Sequence, residues 1–329
     1  MWDKRKAVTF VEMELAITGA DVRAAAQRIP VLARRTPVLA SDAFDAAADR
    51  RVFFKCENLQ RGGAFKIRGA SNLILSLPKE AVSRGIVTYS SGNHAQAVAI
   101  ASRHVGAQAT IVMPQDAPRA KMEATRAYGA RIVTYDRFSE SREAIAGAIL
   151  RETGATLVPP FDHPMIMAGQ GTAAMELLEE TGPLDAVLTP VGGGGLISGT
   201  ATIAKEMYPA IRVFGAEPEG ANDTFLSMAA GERVAVPHPN TIADGLRSPK
   251  PGELTFPVVQ RLVERILLVS DDEIRAAVKF LLLHLKILVE PSGAVPAAAV
   301  LFGKLPEDVR SVGVVISGGN VDFEEVVKY

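Results

Sequence analysis

A strand-to-helix junction near the start of the chain reads Lys55-Cys56-Glu57-Asn58-Leu59-Gln60-Arg61-Gly62-Gly63-Ala64-Phe65-Lys66-Ile67-Arg68-Gly69-Ala70. The pattern predicts a strand over Arg51–Cys56, a glycine turn, and an apolar helix with Lys66 at its start, directly behind Phe65. Burial and a cationic neighbour such as Arg68 both disfavour the ammonium form of a lysine. A lysine with a lowered pKa can form a Schiff base. Lys66 is therefore a candidate nucleophile, and a solvated lysine in a first helical turn is the alternative.

A polar turn follows the predicted strand Ile86–Tyr89 and precedes a helix rich in small residues. It reads Thr88-Tyr89-Ser90-Ser91-Gly92-Asn93-His94-Ala95-Gln96-Ala97. The amides and hydroxyls of such a turn converge on one point, which suits the binding of a carboxylate. An ordinary Ser or Asn helix cap is the alternative.

Four consecutive glycines, Gly192, Gly193, Gly194 and Gly195, lie between a predicted strand at 186–188 and a helical run at 200–207. Their backbone N–H groups can turn onto a phosphate, with the helix N-terminus behind them. The segment fits G-x-G-x-x-G in no register, and no Walker Lys-Ser/Thr follows it. This glycine loop (residues 192–195) therefore predicts a site for a single phosphomonoester rather than for a dinucleotide or a nucleoside triphosphate. A purely structural turn is the alternative.

A fourth motif, Val312-Gly313-Val314-Val315-Ile316-Ser317-Gly318-Gly319-Asn320, is an apolar strand that ends in a hydroxyl and two glycines. Open α/β sheets bind their ligands beyond the carboxyl ends of their strands. Ser317 is therefore a candidate ligand contact, unless it only begins a turn.

The composition of the chain bounds its class. Its 329 residues exceed the size at which a single core usually splits, so we expect two domains. A net charge of −1, with both signs interspersed, indicates no nucleic-acid partner. The single cysteine, Cys56, excludes an internal disulfide and suits a reducing, cytoplasmic location. We expect no membrane span, since the longest apolar run, 280–289, is too short, and no signal peptide, because Glu12 and Glu14 interrupt the early apolar stretch.

Apolar strand patterns alternate with helical patterns along the chain, which predicts βαβ units and a mainly parallel sheet. Besides the strands already named, the pattern predicts strands at 109–113, 131–135, 156–158, 212–216 and 266–269. Helices are predicted at 95–103, 119–127, 141–152 and 274–286.

Together the four motifs resemble those of the fold-type II pyridoxal-phosphate enzymes, specifically the serine/threonine dehydratase and serine racemase family. The resemblance extends from Arg35-Thr36-Pro37 to Val321-Asp322. It implies an α/β fold like that of the tryptophan synthase β chain, with two domains whose mainly parallel, twisted sheets are flanked by helices. Residues 1–77 and 160–329 would form a large cofactor-binding domain, and residues 85–154 a small mobile domain inserted in it.

The resemblance also assigns roles to the motif residues. Lys66 would carry pyridoxal 5'-phosphate as an internal aldimine, with Phe65 packed on the ring. The glycine loop would hold the phosphate, Asn93 would bind the ring hydroxyl, and Ser317 would face the pyridine nitrogen. The substrate would be bound by Ser90, Ser91, Asn93 and His94. In the racemases Ser91 is also the acid or base on the opposite face.

The chain departs from the family pattern at two places. The family usually has Ser before the Phe-Lys pair, whereas Ala64 stands here, so one hydroxyl near the cofactor is missing. The loop Val158-Pro159-Pro160-Phe161-Asp162-His163-Pro164 resembles the dehydratases more than the animal racemases, which carry Asn where Phe161 stands. The second departure weighs against a dedicated racemase.

Three further sites are open to two interpretations. Glu217, Asp223 and the carbonyl of Ala221 match a divalent-cation site that occurs in part of the family, and such oxygen ligands suit Mg²⁺ or Ca²⁺. The alternative is that these residues are only a helix cap and a surface acid. Glu290 is a helix cap or, as the family favours, a neighbour of the cofactor. Arg142 is either a solvated helix residue or a substrate contact. The resemblance implies the second, since the eukaryotic racemase and hydroxyaspartate dehydratase branches carry an arginine there.

The function that follows is an ammonia-lyase acting on a 3-hydroxy amino acid, with serine, threonine and 3-hydroxyaspartate all open as substrates. The nearest rival is a serine or aspartate racemase that uses Lys66 and Ser91 on opposite faces. A non-catalytic ligand sensor of the same fold would have lost the lysine, which is present. Besides the small amino-acid substrate, we expect a second copy of the chain as partner, forming a homodimer.

Overall fold

The computed structural model describes residues 14–117, 119–136 and 138–327. Within them the strands are β1 (Val38–Leu39), β2 (Arg51–Cys56), β3 (Ile86–Tyr89), β4 (Ala109–Pro114), β5 (Arg131–Tyr135), β6 (Thr156–Leu157), β7 (Ala186–Pro190), β8 (Arg212–Pro218), β9 (Arg265–Val269) and β10 (Ser311–Ile316). The first thirteen residues of the predicted large domain, including Glu12, lie outside the described residues.

The helices are α1 (Gly19–Arg28), α2 (Asp42–Ala48), α3 (Lys66–Leu75), α4 (Lys79–Ser83), α5 (Asn93–Val105), α6 (Arg119–Ala127), α7 (Arg142–Thr153), α8 (Pro164–Thr181), α9 (Gly195–Met207), α10 (Asp223–Ala230), α11 (Thr255–Leu262), α12 (Asp271–Phe280), α13 (Pro291–Leu301) and α14 (Phe323–Val326). Short 3₁₀ turns occupy Ile29–Val31, Glu57–Leu59, Arg61–Gly63 and Asp244–Leu246. Within the described ranges, no helix combines the length and apolar character needed to cross a membrane.

The strands form two sheets. The six-stranded sheet has the order β1-β2-β10-β7-β8-β9, and the four-stranded sheet has the order β5-β4-β3-β6. Every described pair is parallel except β1 with β2. The predicted α/β class with mainly parallel sheets is therefore confirmed. Strand β6 pairs with β3 although it lies beyond residue 154, where the predicted small domain ends.

Helices cover both faces of the six-stranded sheet. On one face α13 is buried from Pro291 to Val300. On the other face Leu177 of α8 and Ile197 of α9 pack in one cluster with Val187 of β7. Strands buried on both faces are typical of parallel sheets, which explains their nearly continuous apolar sequences.

The predicted helix 274–286 differs from the structure at both ends. Helix α12 begins earlier, because Ser270 and Glu273 form a capping box. It ends at Phe280 and continues as a π-helical turn over Leu281–Leu285, after which Lys286 adopts a left-handed conformation with φ of 61°. Strand β1 was not predicted, since two residues are too few to show an alternating pattern.

Helix α8 is the element that joins the two halves of the site. A Cβ atom on Gly169 of α8 would lie 2.6 Å from the carbonyl oxygen of Arg68 in α3. A Cβ atom on Gly171 would lie 2.7 Å from the carbonyl oxygen of Gly199 in α9. Glycine is required at both positions, because the backbones of the three helices approach too closely for a side chain. The helix that begins at Lys66 and the helix that follows the glycine loop are thus packed on one support.

Candidate active site

A cavity of about 370 Å³ lies beyond the carboxyl ends of β3, β7 and β10. Its size is within the usual range of small-molecule sites. The residues around it include all four sequence motifs: Phe65, Lys66, Ser90, Ser91, Gly92, Asn93, His94, Arg142, Glu143, Pro160, Phe161, Gly192, Gly193, Gly194, Gly195, Glu290 and Ser317. Segments separated by as many as 252 residues in the chain, from Phe65 to Ser317, therefore meet at one place.

Lys66 is the first residue of α3, and its Nζ donates a hydrogen bond to the carbonyl oxygen of Pro160 at 2.7 Å. Burial lowers the pKa of the amine to about 8, and the nearby carboxylate of Glu290 opposes this shift. The backbone N–H of Phe65 donates to the carbonyl oxygen of Ser317 at 3.0 Å, which ties the lysine to the end of β10. A substantial fraction of the amine is consequently neutral at a mildly basic pH.

The predicted influence of Arg68 on this lysine is wrong. The Arg68 guanidinium is fully buried and forms a bidentate ion pair with Glu57 at 2.7 and 2.8 Å. It also contacts Glu176 at 2.7 Å. Its charge is therefore neutralised on the far side of α3, and burial alone lowers the pKa of Lys66.

The turn after β3 is anchored at its end by Asn93 and His94. Asn93 donates from Nδ2 to Glu290 at 2.7 Å and accepts from Asn320 at 2.9 Å. The Nε2 atom of His94 lies 3.0 Å from the carbonyl oxygen of Val158, and burial lowers the pKa of the ring to about 3. A neutral His94 that donates from Nε2 leaves Nδ1 as an acceptor, so this ring brings no positive charge to a substrate carboxylate.

The glycine loop leads from β7 into α9. Gly194 has φ of 92°, a left-handed conformation that favours glycine, and Gly195 begins the helix. A Cβ atom on Gly193 would collide with the ring of Phe161, and one on Gly194 would lie 2.7 Å from Thr255 Oγ1. Glycine at these positions lets the loop pack against Phe161 and Thr255 while its backbone lines the cavity. The first turn of α9, where backbone N–H groups have no helical partner and favour an anion, begins at the same place.

Asp162 and Thr255 hold this loop in place. The Asp162 carboxylate accepts hydrogen bonds from the backbone N–H groups of Glu253, Leu254 and Thr255 at 2.8, 2.9 and 3.3 Å. The Thr255 hydroxyl donates to the carbonyl oxygen of Gly193 at 2.7 Å. Sequence reasoning missed both roles, since the partners are 62 to 93 residues apart and no local motif marks them.

Ser317 and Glu290 close the cavity on the side of β10 and α13. Ser317 is the residue after β10, and its side chain is buried. Glu290 precedes α13 but makes no side-chain capping hydrogen bond, and it accepts from Asn93 instead. Of the two interpretations left open by the sequence, the structure favours a residue of the cavity over a helix cap.

Arg142 lies at the opposite wall, at the start of α7. Its guanidinium pairs with Glu143 at 2.8 Å and stands 5.2 Å from the ring centre of Tyr89. The side chain is 40% exposed and lines the cavity. The structure thus places Arg142 at the edge of the cavity, partly exposed to solvent.

Glu217, Ala221 and Asp223 lie outside the cavity lining, and all three are buried. Glu217 accepts from the backbone N–H groups of Thr224 and Phe225 at 3.1 and 2.9 Å. Both oxygens of Asp223 lack a hydrogen-bond partner within the described part of the chain. Burial raises the pKa of Asp223 to about 7 and, with the charge of Asp223, raises that of Glu217 well above its usual value. No group of three or more His, Cys, Asp or Glu suited to a metal occurs among the residues described.

Comparison with known proteins gives concordant matches. The family model for pyridoxal-phosphate dependent enzymes matches residues 29–318. Serine racemase of Schizosaccharomyces pombe is 45% identical over 309 residues, which are 94% of this chain and 96% of that protein. L-threo-3-hydroxyaspartate ammonia-lyase of Pseudomonas sp. is 47% identical over 305 residues, 93% of this chain and 96% of that protein.

Solved structures agree with the sequence matches. The structure of maize serine racemase has a TM-score of 0.92 and 45% identity, and the match covers 95% of this chain and 96% of that one. The cavity residues from Phe65 to Ser317 all fall inside the family match. Because a family model spanning the complete site agrees with relatives aligned over more than nine-tenths of the sequence, this chain belongs, as its motifs predicted, to the pyridoxal-phosphate-dependent enzymes.

Proposed function

We propose that this enzyme is an ammonia-lyase that converts a 3-hydroxy amino acid to a 2-oxo acid and ammonia by α,β-elimination. The observation that carries the proposal is the half-buried Lys66, whose amine has a lowered pKa, in the same cavity as the glycine loop. Relatives from Pseudomonas sp. and Saccharomyces cerevisiae that are named L-threo-3-hydroxyaspartate ammonia-lyase share 47% and 45% identity with the chain, which supports a lyase.

Pyridoxal 5'-phosphate is the cofactor of the family, and the cavity fits it. The backbone of the glycine loop lines the cavity at the first turn of α9, whose amides have no partner within the helix, and this suits a phosphate group. We assign Lys66 as the point of covalent attachment, Phe65 to the face of the ring, and Asn93 and Ser317 to its polar edge. When bound, the cofactor supplies an electron sink that acidifies the Cα–H bond of an amino acid.

The residues around the substrate then have separable tasks. Lys66, with a pKa of about 8, can take the Cα proton and return it to a leaving group. Ser317 is a neutral partner that offers no carboxylate to hold a proton on the ring nitrogen, and this favours prompt departure of the β-hydroxyl group. Ser90, Ser91 and the start of α5 line the cavity where we place the substrate carboxylate.

The proposal is tested by incubating the purified enzyme with serine, threonine and 3-hydroxyaspartate and measuring ammonia and 2-oxo acid. Lys66→Ala should abolish both products. Borohydride reduction of the native enzyme should fix the cofactor on Lys66, as peptide mapping would show. A label on another lysine, or no product from any of the three substrates, would refute the proposed function.

Arg142 favours 3-hydroxyaspartate among these substrates. A guanidinium can bind a distal carboxylate in bidentate fashion, an interaction that serine and threonine cannot make. A charge-assisted hydrogen bond of about 1.5–3 kcal/mol corresponds to roughly a ten- to over a hundredfold change in turnover efficiency. Arg142→Ala should therefore lower kcat/KM for 3-hydroxyaspartate by that factor and change that for serine little.

Arg151→Ala is the matched control, because Arg151 is on the same helix and does not line the cavity. It should leave both substrates unaffected. Equal losses for serine and 3-hydroxyaspartate in Arg142→Ala would assign Arg142 to the common carboxylate instead of the distal one.

Racemisation is the second candidate function, favoured by the cavity position of Ser91 and by relatives named serine racemase at 43–47% identity. An acid or base on the face opposite Lys66 would permit reprotonation from that side. Ser91→Ala should remove any racemisation while leaving measurable elimination of the L-substrate. Chiral analysis of recovered serine and an assay of pyruvate separate the two activities.

We further propose that the enzyme is a cytoplasmic homodimer. Leu59, Leu282, Leu283 and Leu288 are exposed, and Asn58 donates to the carbonyl oxygen of Leu288, so the segments that carry Leu59 and Leu288 are adjacent. We infer that these side chains contribute to one apolar surface. Burial of this surface against a second copy would remove it from water. Light scattering should give twice the mass of the chain, and Leu283→Lys should lower it. The single buried thiol of Cys56 supports the reducing location.

Two more expectations remain proposals. The four-stranded sheet, residues 85–154 extended to include β6, would form a small domain that moves relative to the rest. The two unpaired oxygens of Asp223, which interact with the charge of Glu217, would bind Mg²⁺ or Ca²⁺ together with Glu217 and the carbonyl of Ala221. Either cation should raise the melting temperature of the native enzyme and leave that of Asp223→Asn unchanged.

A further inference from the structure

Tyr89 is a cavity residue to which the sequence motifs assign no role. It is the last residue of β3, and its half-buried side chain lines the cavity. The side chain packs against a buried apolar cluster of Val87, Val112, Tyr135 and Ala146. The members of this cluster belong to β3, β4, β5 and α7, so four elements hold Tyr89 at the cavity wall. Close packing of this kind restricts the positions that the ring can take.

The ring of Tyr89 supports the guanidinium of Arg142. The Cζ atom of Arg142 stands 5.2 Å from the ring centre, within the range of a cation–π contact. Its Nε donates to Oε1 of Glu143 at 2.8 Å, and Ser141 Oγ donates to Oε2 of the same carboxylate at 3.2 Å. Among the residues that the structure describes, Nη1 and Nη2 of Arg142 donate no hydrogen bond. The guanidinium is thus held by its face and by Nε, while the two Nη atoms are available to a ligand.

Two available Nη atoms at the edge of a cavity suit a carboxylate. A guanidinium and a carboxylate can form two parallel hydrogen bonds, and a guanidinium already held in place loses less side-chain freedom when they form. Because the charge of Glu143 offsets that of Arg142, the direction of the Nη atoms matters more than net charge. Burial raises the pKa of the Tyr89 phenol, so the ring adds no negative charge beside the guanidinium.

We propose that Tyr89 is the positioning residue that makes the enzyme selective for amino acids with a second carboxylate. Its ring, together with the carboxylate of Glu143, holds Arg142 so that Nη1 and Nη2 meet the distal carboxylate of the substrate. Tyr89 acts through Arg142 and touches no reacting atom. The inference rests on the proposed ammonia-lyase function and on the role of Arg142 in it.

Removal of the ring tests the proposal. Tyr89→Leu keeps an apolar side chain in the cluster, and it should lower the ratio of kcat/KM for 3-hydroxyaspartate to that for serine. The expected fall is about three- to tenfold, the range of a partly exposed cation–π contact, and it should come mainly from KM. Tyr89→Phe keeps the ring and should retain the native ratio to within about twofold. In an Arg142→Ala background, Tyr89→Leu should lower the ratio no further, because the two residues act as a unit.

A second readout does not need turnover. The cofactor absorbance of the holoenzyme is titrated with L-aspartate and L-alanine, which both lack a β-hydroxyl group and of which only aspartate has a distal carboxylate. Tyr89→Leu should raise the Kd of aspartate about three- to tenfold and that of alanine less than about twofold. Tyr135→Leu is the matched control, since it removes a ring from the same apolar cluster but not from the cavity lining. It should leave the ratio of the two Kd values unchanged.

The two ratios decide between the possible outcomes. Equal weakening of aspartate and alanine in Tyr89→Leu would show a general distortion of the cavity wall and would overturn the proposal. A loss in Tyr89→Phe as large as that in Tyr89→Leu would also overturn it, because the hydroxyl and not the ring would then be responsible. So would a further loss when Tyr89→Leu is added to Arg142→Ala. Absence of product from all three hydroxy amino acids would instead refute the proposed function, and the two titrations would still decide the role of Tyr89.

Discussion

Replacing Arg68 with Met should destabilise the protein more than loss of any surface ion pair. The guanidinium is fully buried, and Glu57, also fully buried, accepts two of its N–H bonds at 2.7 and 2.8 Å. Glu176 accepts two more at 2.7 and 2.8 Å. Arg68→Met leaves the Glu57 side chain with hydrogen bonds to Thr36 and Gln60 and with the charge of Lys55, but without the bidentate ion pair. Removing one partner of a buried ion pair costs about 3–5 kcal/mol of the free energy of unfolding.

Arg68→Met should also reverse the contribution of Glu57 to the pH dependence of the free energy of unfolding. In the native protein Arg68 holds the pKa of Glu57 below its usual value despite burial. The stability that the ionised Glu57 contributes is therefore present above its unfolded-state pKa and is lost as the pH falls through its folded-state pKa. Without Arg68, burial raises the folded-state pKa above the unfolded one. The variant should then lose stability as the pH rises from the unfolded-state pKa through the folded-state pKa.

Equilibrium urea unfolding of the apoenzyme at pH 5, 6 and 7, at one protein concentration, measures both effects. Arg23→Met is the matched control, because Arg23 pairs with Glu206 at 2.9 Å with the two side chains 52% and 41% exposed. Such a pair contributes about 0–1 kcal/mol. The double variant Arg68→Met/Glu57→Gln should recover stability at pH 7 by removing the stranded charge. A loss in Arg68→Met no larger than in the control, or no recovery in the double variant, would refute this account of the buried cluster.

Three other substitutions or titrations give sharp expectations. Gly169→Ala places a Cβ atom 2.6 Å from the carbonyl oxygen of Arg68, so the free energy of unfolding should fall by about 1–3 kcal/mol. Gly147→Ala, on an open helix face, is the control and should be neutral or slightly stabilising. Thermal melts of the two variants test this difference. The rate at which the apoenzyme attaches pyridoxal 5'-phosphate should rise with pH to a midpoint near 8, because only neutral Lys66 is nucleophilic, and Lys66→Ala should show no attachment. The pKa of Asp223 is raised to about 7, so cation-free protein should lose stability as the pH rises from about 4 toward 7. Asp223→Asn should flatten that slope in urea unfolding, and an unchanged slope would contradict the shift.

The sequence predicted those parts of the fold that depend on local residue patterns. Buried parallel strands are short apolar runs, and the pattern placed β2, β3 and β5 at their observed bounds. The four motifs could be predicted to meet, because parallel strands direct their carboxyl ends to one edge of a sheet. Strand β1 has two residues, and the ladder hydrogen bonds to β2, not its sequence, define it.

Neither the orientation of Arg68 nor the support of the glycine loop by Asp162 and Thr255 could be predicted from the sequence. Residues 66 and 68 are neighbours in the chain, but two steps along a helix turn a side chain by roughly 200°, so one faces the cavity and the other faces Glu57. Asp162 and Thr255 act on partners that are 62 to 93 residues away in the chain. Such relations depend on tertiary packing, which is not encoded in a local pattern.

The division of the site between the two sheets has a functional consequence. Lys66, the glycine loop and Ser317 belong to elements that are packed on α8 or on the six-stranded sheet. Arg142 and the turn after β3 belong instead to the four-stranded sheet and its helices. Apart from Asn93, the groups assigned to the cofactor are thus held by one framework, and those assigned to the substrate are carried largely by the other. A substitution such as Arg142→Ala can therefore change substrate preference without altering the burial that lowers the pKa of Lys66.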